Sequence, residues 1–197
     1  MSTNKFLKQR KFYLTFVICL CLAIAFSYFS GIRFNAIQAA KYNSYVNEKS
    51  ILLGDVKIGS YRVFFYENDD KYRTVLTERV FPFWRLNGNS YWANKTDDNI
   101  KLVGWCSLNN GEKGVTTVPV QSFDKKVSYI KMGSNSDLLV KNIPYGEVVI
   151  FTWNKGIPWN VLNAIAYSSD NKPLYKLGYE IVNSAIKADE LRWLPVN

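Results

Sequence analysis

The acid–base chemistry open to this chain rests on carboxylates, lysines and tyrosines, because the 197-residue sequence contains no histidine. Without an imidazole, the chain cannot form a Ser–His–Asp or Cys–His nucleophilic site, nor a histidine-ligated zinc, copper or iron centre. Two acidic pairs, Asp69–Asp70 and Asp97–Asp98, lack the alternating oxygen ligands around a glycine that a calcium loop requires. Cys106 ends an apolar stretch that begins at Leu102, which indicates a buried strand rather than a reactive thiol. We therefore predict a non-enzymatic protein with no catalytic residue, no metal ligand and no cofactor.

The tryptophans that bear on function divide into two groups by their surroundings in the sequence. Trp105 and Trp153 lie in apolar stretches typical of strands, so we expect them in the core. The other group lies in turn-rich stretches beside a cation, a tyrosine or a proline, and we expect those rings to be exposed. An exposed ring can stack on a sugar or lie at a membrane interface, and a neighbouring guanidinium binds anionic groups. The candidate binding residues are therefore Trp84, Arg85, Tyr91, Trp92 and Trp159.

Residues 12–32 form an uncharged, mostly apolar segment that follows a basic stub at residues 1–11. At a rise of about 1.5 Å per residue, a helix over this segment is roughly 31 Å long and can cross a bilayer as a transmembrane anchor. The stub carries only positive charges (Lys5, Lys8, Arg10 and Lys11), so the positive-inside rule keeps it cytoplasmic and exports the remaining chain. The apolar run is longer than the about 7 to 15 residues of a cleaved signal, which favours a retained single-pass anchor in the cell membrane.

The net charge of +9 is a moderate basic excess. Such an excess is typical of a solvated surface, or of attraction to an anionic polymer or lipid surface. We expect no nucleic-acid partner, since the sequence contains no RNP, helix-turn-helix or zinc-finger pattern. Cys106 is the single cysteine of the exported part, so no internal disulfide can form there. A cysteine-poor exported domain fits a Gram-positive bacterial envelope.

Beyond the anchor, the hydrophobic pattern changes from helical to strand-like spacing at about residue 51. Residues 33–50 contain neither proline nor glycine and carry apolar residues at mixed three- and four-residue spacing, which predicts a helical stalk. Residues 51–197 form the predicted extracytoplasmic β domain. Its clearest feature is a hairpin formed by Tyr61–Tyr66 and Tyr72–Thr77 around the turn Asn68–Asp70.

Short aromatic and β-branched runs continue to the C-terminus and are separated by turn residues. In the segment Phe81–Leu86, Pro82 confines the start of the strand to a sheet edge or a bulge. The tail at residues 181–194 fits either a short amphipathic helix or a final strand. We predict a mainly β fold class: an N-terminal transmembrane helix followed by an antiparallel β-sandwich or a partly open barrel. The further predicted strands are Ile100–Cys106, Val115–Val120, Val127–Met132, Glu147–Trp153, Val161–Tyr167 and Leu174–Tyr179.

The C-terminal half combines the strands Val127–Met132 and Glu147–Trp153 with the turn sequence Ala166–Tyr175. The hairpin and the aromatic segment Phe81–Leu86 precede them. This arrangement resembles small single-pass surface proteins of low-GC Gram-positive bacteria. The resemblance implies a membrane-anchored extracytoplasmic β domain, and it carries over no activity and no site residue.

These observations predict a non-catalytic, membrane-anchored extracytoplasmic β module that binds an envelope protein or an anionic wall polymer. One alternative is a regulatory or immunity-type partner of an integral membrane protein, which would use the anchor itself for recognition. A second alternative is an envelope hydrolase that uses two carboxylates, since glycosidases need only a pair of acids at a set separation.

Overall fold

The N-terminal helix is the element on which the predicted topology depends. A computed structural model describes residues 3–111, 113–134, 136–179 and 190–196. Helix α1 runs from Thr3 to Phe29, and its Arg10–Phe29 part is long and apolar enough to cross a membrane, with none of it buried against the rest of the chain. Gly31 follows the helix with a φ of 74°, a left-handed conformation that glycine adopts without strain. The expected long apolar N-terminal helix is thus confirmed.

The N-terminal part of the β domain is one five-stranded antiparallel sheet, which we call sheet A. Its strands are β1 (Ile32–Arg33), β2 (Ile51–Ile58), β3 (Tyr61–Glu67), β4 (Lys71–Val80) and β5 (Phe83–Asn94), in the order β1-β5-β4-β3-β2. A short helix, α2 (Ala36–Ala40), lies between β1 and β2. The predicted hairpin is confirmed as β3 and β4, which pair from Tyr61 opposite Glu78 to Glu67 opposite Tyr72.

Two further sheets contain the remaining strands, and all their named strand pairs are antiparallel. Sheet B has the order β11-β8-β6, with β7 also paired to β8, and sheet C has the order β10-β9-β12-β13-β14. A single 3₁₀ turn, Trp159–Val161, lies between β11 and β12. The strands are β6 (Ile100–Leu102), β7 (Cys106–Asn110), β8 (Lys113–Ser122), β9 (Tyr129–Met132), β10 (Leu139–Asn142), β11 (Val148–Trp153), β12 (Ile165–Tyr167), β13 (Pro173–Gly178) and β14 (Arg192–Pro195).

Three apolar clusters hold α2 and the three sheets together, and each sheet can pack on both sides because alternate side chains of a strand point to opposite faces. Phe64 and Tyr66 of β3 pack with α2 on one face of sheet A, which we call the α2 face. Val63 and Phe65 point the other way and pack against Cys106 and other residues of sheet B. The opposite face of sheet B packs on sheet C in the largest cluster, which contains Val118, Val120, Ile130, Met132, Phe151 and Trp193. Each fully buried large apolar side chain stabilises this arrangement by about 1.5–3 kcal/mol.

The prediction of a helical stalk at residues 33–50 is wrong. Only Ala36–Ala40 is helical, and Ala36, Ala39 and Ala40 are buried rather than projecting into solvent. The Asn35 side chain accepts a hydrogen bond from the Gln38 backbone N–H and so begins a separate helix. Asparagine side chains at 43 and 47 then accept backbone hydrogen bonds two residues further on, which favours turns over continued helix.

The predicted strand Ile100–Cys106 is two strands, β6 and β7, which pair with the same partner, β8. The break lies opposite Pro119, which has no backbone N–H to donate to the ladder. The Val103 N–H still bonds to the Pro119 carbonyl at 3.0 Å, and the Trp105 N–H bonds instead to Thr74 Oγ1 of sheet A at 3.1 Å. The interruption therefore ties sheet B to sheet A.

Two other predictions change at the ends of sheets. The strand predicted at Phe81–Leu86 begins at Phe83, and Pro82 lies in the β4–β5 turn, where no ladder N–H is needed. The strand is not an edge strand, because β1 pairs with it. In the tail, Arg192–Pro195 is a strand paired with β13, and the remaining tail prediction, for residues 181–189, lies outside the described residues.

Candidate binding cleft

Four of the five predicted binding residues lie on β5, but they point to both faces of sheet A. Trp92 pairs with Arg73 of β4, and Trp84 packs against the cluster on the α2 face. Both tryptophans lie on that face, with a bulge between them that keeps the side-chain alternation in step. Arg85 and Tyr91 alternate to the opposite face. The structure therefore brings the two tryptophans to one face and separates them from Arg85 and Tyr91.

Two of the predicted residues take part in other local contacts. Arg85 is exposed, and its Nη2 lies 2.9 Å from Glu78 Oε2, a surface ion pair of small energetic value. Trp159 belongs to the 3₁₀ turn and is half-buried against the core between sheets B and C. Its ring meets that of Tyr179 edge to face, with the ring centroids 4.7 Å apart. Trp153 is buried as predicted, and Trp105 is partly buried against the same core.

A cleft of about 850 Å³ opens beside Trp92. One wall is the segment that follows α2, and the other consists of side chains on the α2 face of β4 and β5. We call it the basic–aromatic cleft. Trp92 is 39% exposed and Tyr45 is 57% exposed, so both rings are open to a ligand. Its lining residues are Tyr42, Asn43, Ser44, Tyr45, Lys71, Arg73, Leu86 and Trp92.

Two cations contact the aromatic rings of the cleft. The Arg73 guanidinium carbon is 4.6 Å from the centroid of the Tyr45 ring and 6.0 Å from that of Trp92. The Lys71 ammonium is 4.6 Å from the Trp92 centroid. These cation–π contacts hold both long side chains in place. The alternation of β4 puts Lys71 and Arg73 on the same face, so their charges act on the same space.

The positive charge of the cleft is largely uncompensated within the described residues. Arg73 forms no ion pair with a described carboxylate, and its buried Nε has no hydrogen-bond partner there. The hydroxyl of Tyr66, directly opposite Arg73 in the ladder, is also buried without a partner in that part of the chain. Among the described carboxylates, only that of Asp70 lies within 4 Å of the Lys71 ammonium, with 3.7 Å between Nζ and Oδ2. The Asp70 side chain is largely exposed, so solvent screens the attraction. A guanidinium and an ammonium held this way are suited to phosphate or carboxylate oxygens.

Sequence reasoning identified Trp92 but missed Tyr45, Lys71 and Arg73. The sequence could have shown that Lys71 and Arg73 share a face, because the strand pattern of the predicted hairpin places alternate residues on one face. It could not have shown that Trp92 lies beside them, since the pairing of Arg73 with Trp92 depends on the register shift that follows Val75. Tyr45 lay in the segment assigned to the stalk.

The titratable groups elsewhere offer little reactive chemistry. Burial raises the pKa of the Cys106 thiol to about 12, so this thiol stays protonated at neutral pH. Burial, with a smaller effect of the Asp55 charge, raises the pKa of Tyr66, and burial with Glu67 does the same for Tyr72. Among the residues that the structure describes, no group of three or more Cys, Asp or Glu side chains is placed to hold a metal ion.

Comparison with known proteins gives no relative from which a role could be taken. No protein-family model, no curated protein and no solved structure matches this chain.

Proposed function

We propose that this chain is a non-catalytic module of the cell envelope. It is held in the membrane by α1 with residues 1–11 in the cytoplasm, and its exported β domain binds an anionic wall polymer in the basic–aromatic cleft. The observation that carries the proposal is the placement of Lys71 and Arg73 against two open aromatic rings, Trp92 and Tyr45, without a compensating buried carboxylate in the described part of the chain.

The chemistry of the cleft matches a polymer of alternating polyol or sugar units and phosphates. The flat faces of Tyr45 and Trp92 suit the C–H faces of a sugar or polyol unit, and the two cations suit the phosphate that links one unit to the next. The cleft is partly open to solvent rather than enclosed, which suits a segment of a long chain. An uncharged polysaccharide would leave both cations without partners.

Binding of a linear poly(glycerol phosphate) to the full-length protein in lipid nanodiscs tests this proposal. We expect binding that weakens as salt rises from about 0.05 to 0.2 M, because salt screens exposed charges. Dextran of similar length should not bind measurably. Arg73→Gln removes one charge-assisted contact worth about 1.5 kcal/mol, so the dissociation constant should rise roughly tenfold. Trp92→Ala should weaken binding at every salt concentration.

Lys57→Gln is the matched control. Lys57 is an exposed cation of the same sheet, on the edge strand β2, and it does not line the cleft. Its loss lowers the net charge as much as Arg73→Gln does, and binding should change less than twofold. Equal effects of the two variants would show that the polymer responds to net charge alone, and an absence of binding to the polymer would overturn the proposal.

A further inference from the structure

The two most exposed aromatic side chains of the described residues are Phe34, which follows β1, and Phe81, in the turn between β4 and β5. Phe34 is 83% exposed and Phe81 is 81% exposed, more than any other exposed large apolar side chain, including those of α1. Val80, the last residue of β4, is 40% exposed. The Phe34 and Phe83 rings meet edge to face with their centroids 5.5 Å apart, and Val80 pairs with Phe83 on either side of the turn that contains Phe81. We call these four side chains the aromatic tip. An exposed apolar patch of this kind marks a contact with another protein, a ligand or a membrane.

The aromatic tip lies beside the last turns of α1 rather than beyond the end of that helix. Gly31 reverses the chain after α1, and β1 pairs with β5 next to the tip. As a result, Phe34 and Phe83 border the same groove as Leu20 and Ser27 of α1, a mostly apolar space of about 800 Å³. Leu20 precedes the end of the helix by nine residues, or about 13 Å along the axis. Phe34 and Phe83 of the tip are therefore level with the C-terminal turns of α1.

Two arginines lie beside the aromatic tip. The Arg79 guanidinium carbon lies 5.3 Å from the centroid of the Phe81 ring, and Arg79 is exposed. Arg33 lies over the Tyr28 and Tyr42 rings at 4.5 and 4.7 Å and bonds to the carbonyl of Tyr28 at the end of α1. Aromatic rings at the depth of the headgroups, with arginines just outside, are the usual arrangement of a membrane-interface contact.

We propose that the aromatic tip enters the outer leaflet of the bilayer that α1 spans, so that the β domain has a second membrane contact. Acyl chains fill the groove between α1 and the tip, and Arg79 lies at the level of the lipid phosphates. This inference rests on the proposed membrane anchoring by α1, and it does not depend on the cleft. The domain is then held in one orientation on the membrane instead of turning freely about the residues after α1.

Nitroxide labels on the full-length protein in liposomes of phosphatidylglycerol and phosphatidylcholine test the depth of the tip. The variants Cys19→Ser and Cys21→Ser remove the exposed native thiols, and Cys106 stays unlabelled because it is buried. One label replaces Phe81. The matched control label replaces Val140, an exposed apolar residue on the edge strand β10 of sheet C. We expect the label at Phe81 to be several-fold more accessible to oxygen than to a water-soluble nickel chelate, and the label at Val140 to show the reverse.

The outcomes separate this inference from the anchoring on which it rests. Extraction with alkaline carbonate reports on α1 alone, and the anchored protein should remain in the membrane pellet. If the protein is extracted, the proposed anchoring fails. If it remains while the label at Phe81 is as accessible to nickel as the label at Val140, the aromatic tip is in water and the inference is overturned. Phe81→Asp should also raise the nickel accessibility of a label placed at Val80, without releasing the protein.

Discussion

Two adjacent threonines of β8 allow a direct test of how the buried polar groups stabilise this fold. Thr116 and Thr117 are both fully buried. Thr116 Oγ1 donates to the Lys155 carbonyl at 2.8 Å and accepts from the Ile157 backbone N–H at 2.7 Å. Thr117 Oγ1 has no hydrogen-bond partner among the described residues. The same substitution by valine, which keeps the side-chain shape, should therefore have opposite consequences at the two positions.

The magnitudes follow from the groups that each substitution leaves behind. Thr116→Val removes the acceptor of the buried Ile157 N–H and the donor to the Lys155 carbonyl. An unsatisfied buried group costs about 1–3 kcal/mol, so we expect the free energy of unfolding to fall by about 2–4 kcal/mol. Thr117→Val removes a hydroxyl that is already unsatisfied, so stability should stay the same or rise by about 1 kcal/mol.

Thermal unfolding of the full-length protein in a mild detergent, followed by near-ultraviolet circular dichroism, provides the measurement. For a chain of this size, 1 kcal/mol corresponds to a shift in Tm of roughly 2–4 °C. We expect Thr116→Val to lower Tm by about 5–15 °C and Thr117→Val to leave it unchanged or slightly raised. Equal losses for the two variants would refute the reasoning, because they would show that the hydrogen bonds of Thr116 do not determine its contribution.

Two further predictions concern the contact between sheets A and B. In Gly104→Ala the new Cβ meets Thr74 Oγ1 at a separation that requires movement of a fully buried side chain, so we expect a loss of about 1–3 kcal/mol in the same unfolding assay. Gly54→Ala is its control, since that Cβ meets only Ile150 Cδ1 at 3.4 Å, an ordinary contact, and stability should change by less than about 0.5 kcal/mol. The pKa of the Cys106 thiol is about 12 in the folded protein and about 8.5 in the unfolded chain, so the thiol ionises first in the unfolded chain as pH rises. The free energy of unfolding should therefore fall by up to about 1.4 kcal/mol per pH unit between about pH 8.5 and pH 12. Cys106→Ala should flatten that part of the pH profile, and a profile identical to that of the wild type would contradict the assignment.

The features that the sequence predicted correctly are those specified by neighbouring residues. An apolar helix needs only its own composition, and the β3–β4 hairpin needs only two alternating runs around the turn at residues 68–70. The prediction of a helical stalk failed because the residue pattern fits a long helix as well as it fits a short helix followed by turns. Packing against Phe64 and Tyr66 selected the short helix. Local propensity could not decide between these outcomes, because the deciding contacts come from residues later in the chain.

The candidate site depended on pairings that the sequence does not specify. Arg73 and Trp92 are 19 positions apart, and they meet only because β5 pairs with β4 through a register shift beside Val75. A register different by one residue would have turned Trp92 to the opposite face and placed Tyr91 beside Arg73. The sequence therefore identifies aromatic side chains on β5, and only the ladder shows that Trp92, not Tyr91, lies on the same face as Arg73.

The cations of the cleft and the aromatic tip lie at opposite ends of the same pair of strands, and this fixes the distance between them. The cleft is near the start of β4, at Lys71 and Arg73, and the aromatic tip follows its end at Val80. Seven residues separate Arg73 from Val80, which at about 3.3 Å per residue is roughly 23 Å along the strand. With the tip in the outer leaflet, Lys71 and Arg73 of the cleft stand about 20 Å from the headgroups when the strands run close to the membrane normal, while Tyr42 extends the cleft towards the groove beside α1. A polymer that is attached to a membrane lipid passes this height within its first few repeating units. The domain would then bind the polymer near its membrane-attached end, and the rigid sheet between tip and cleft would hold that distance constant.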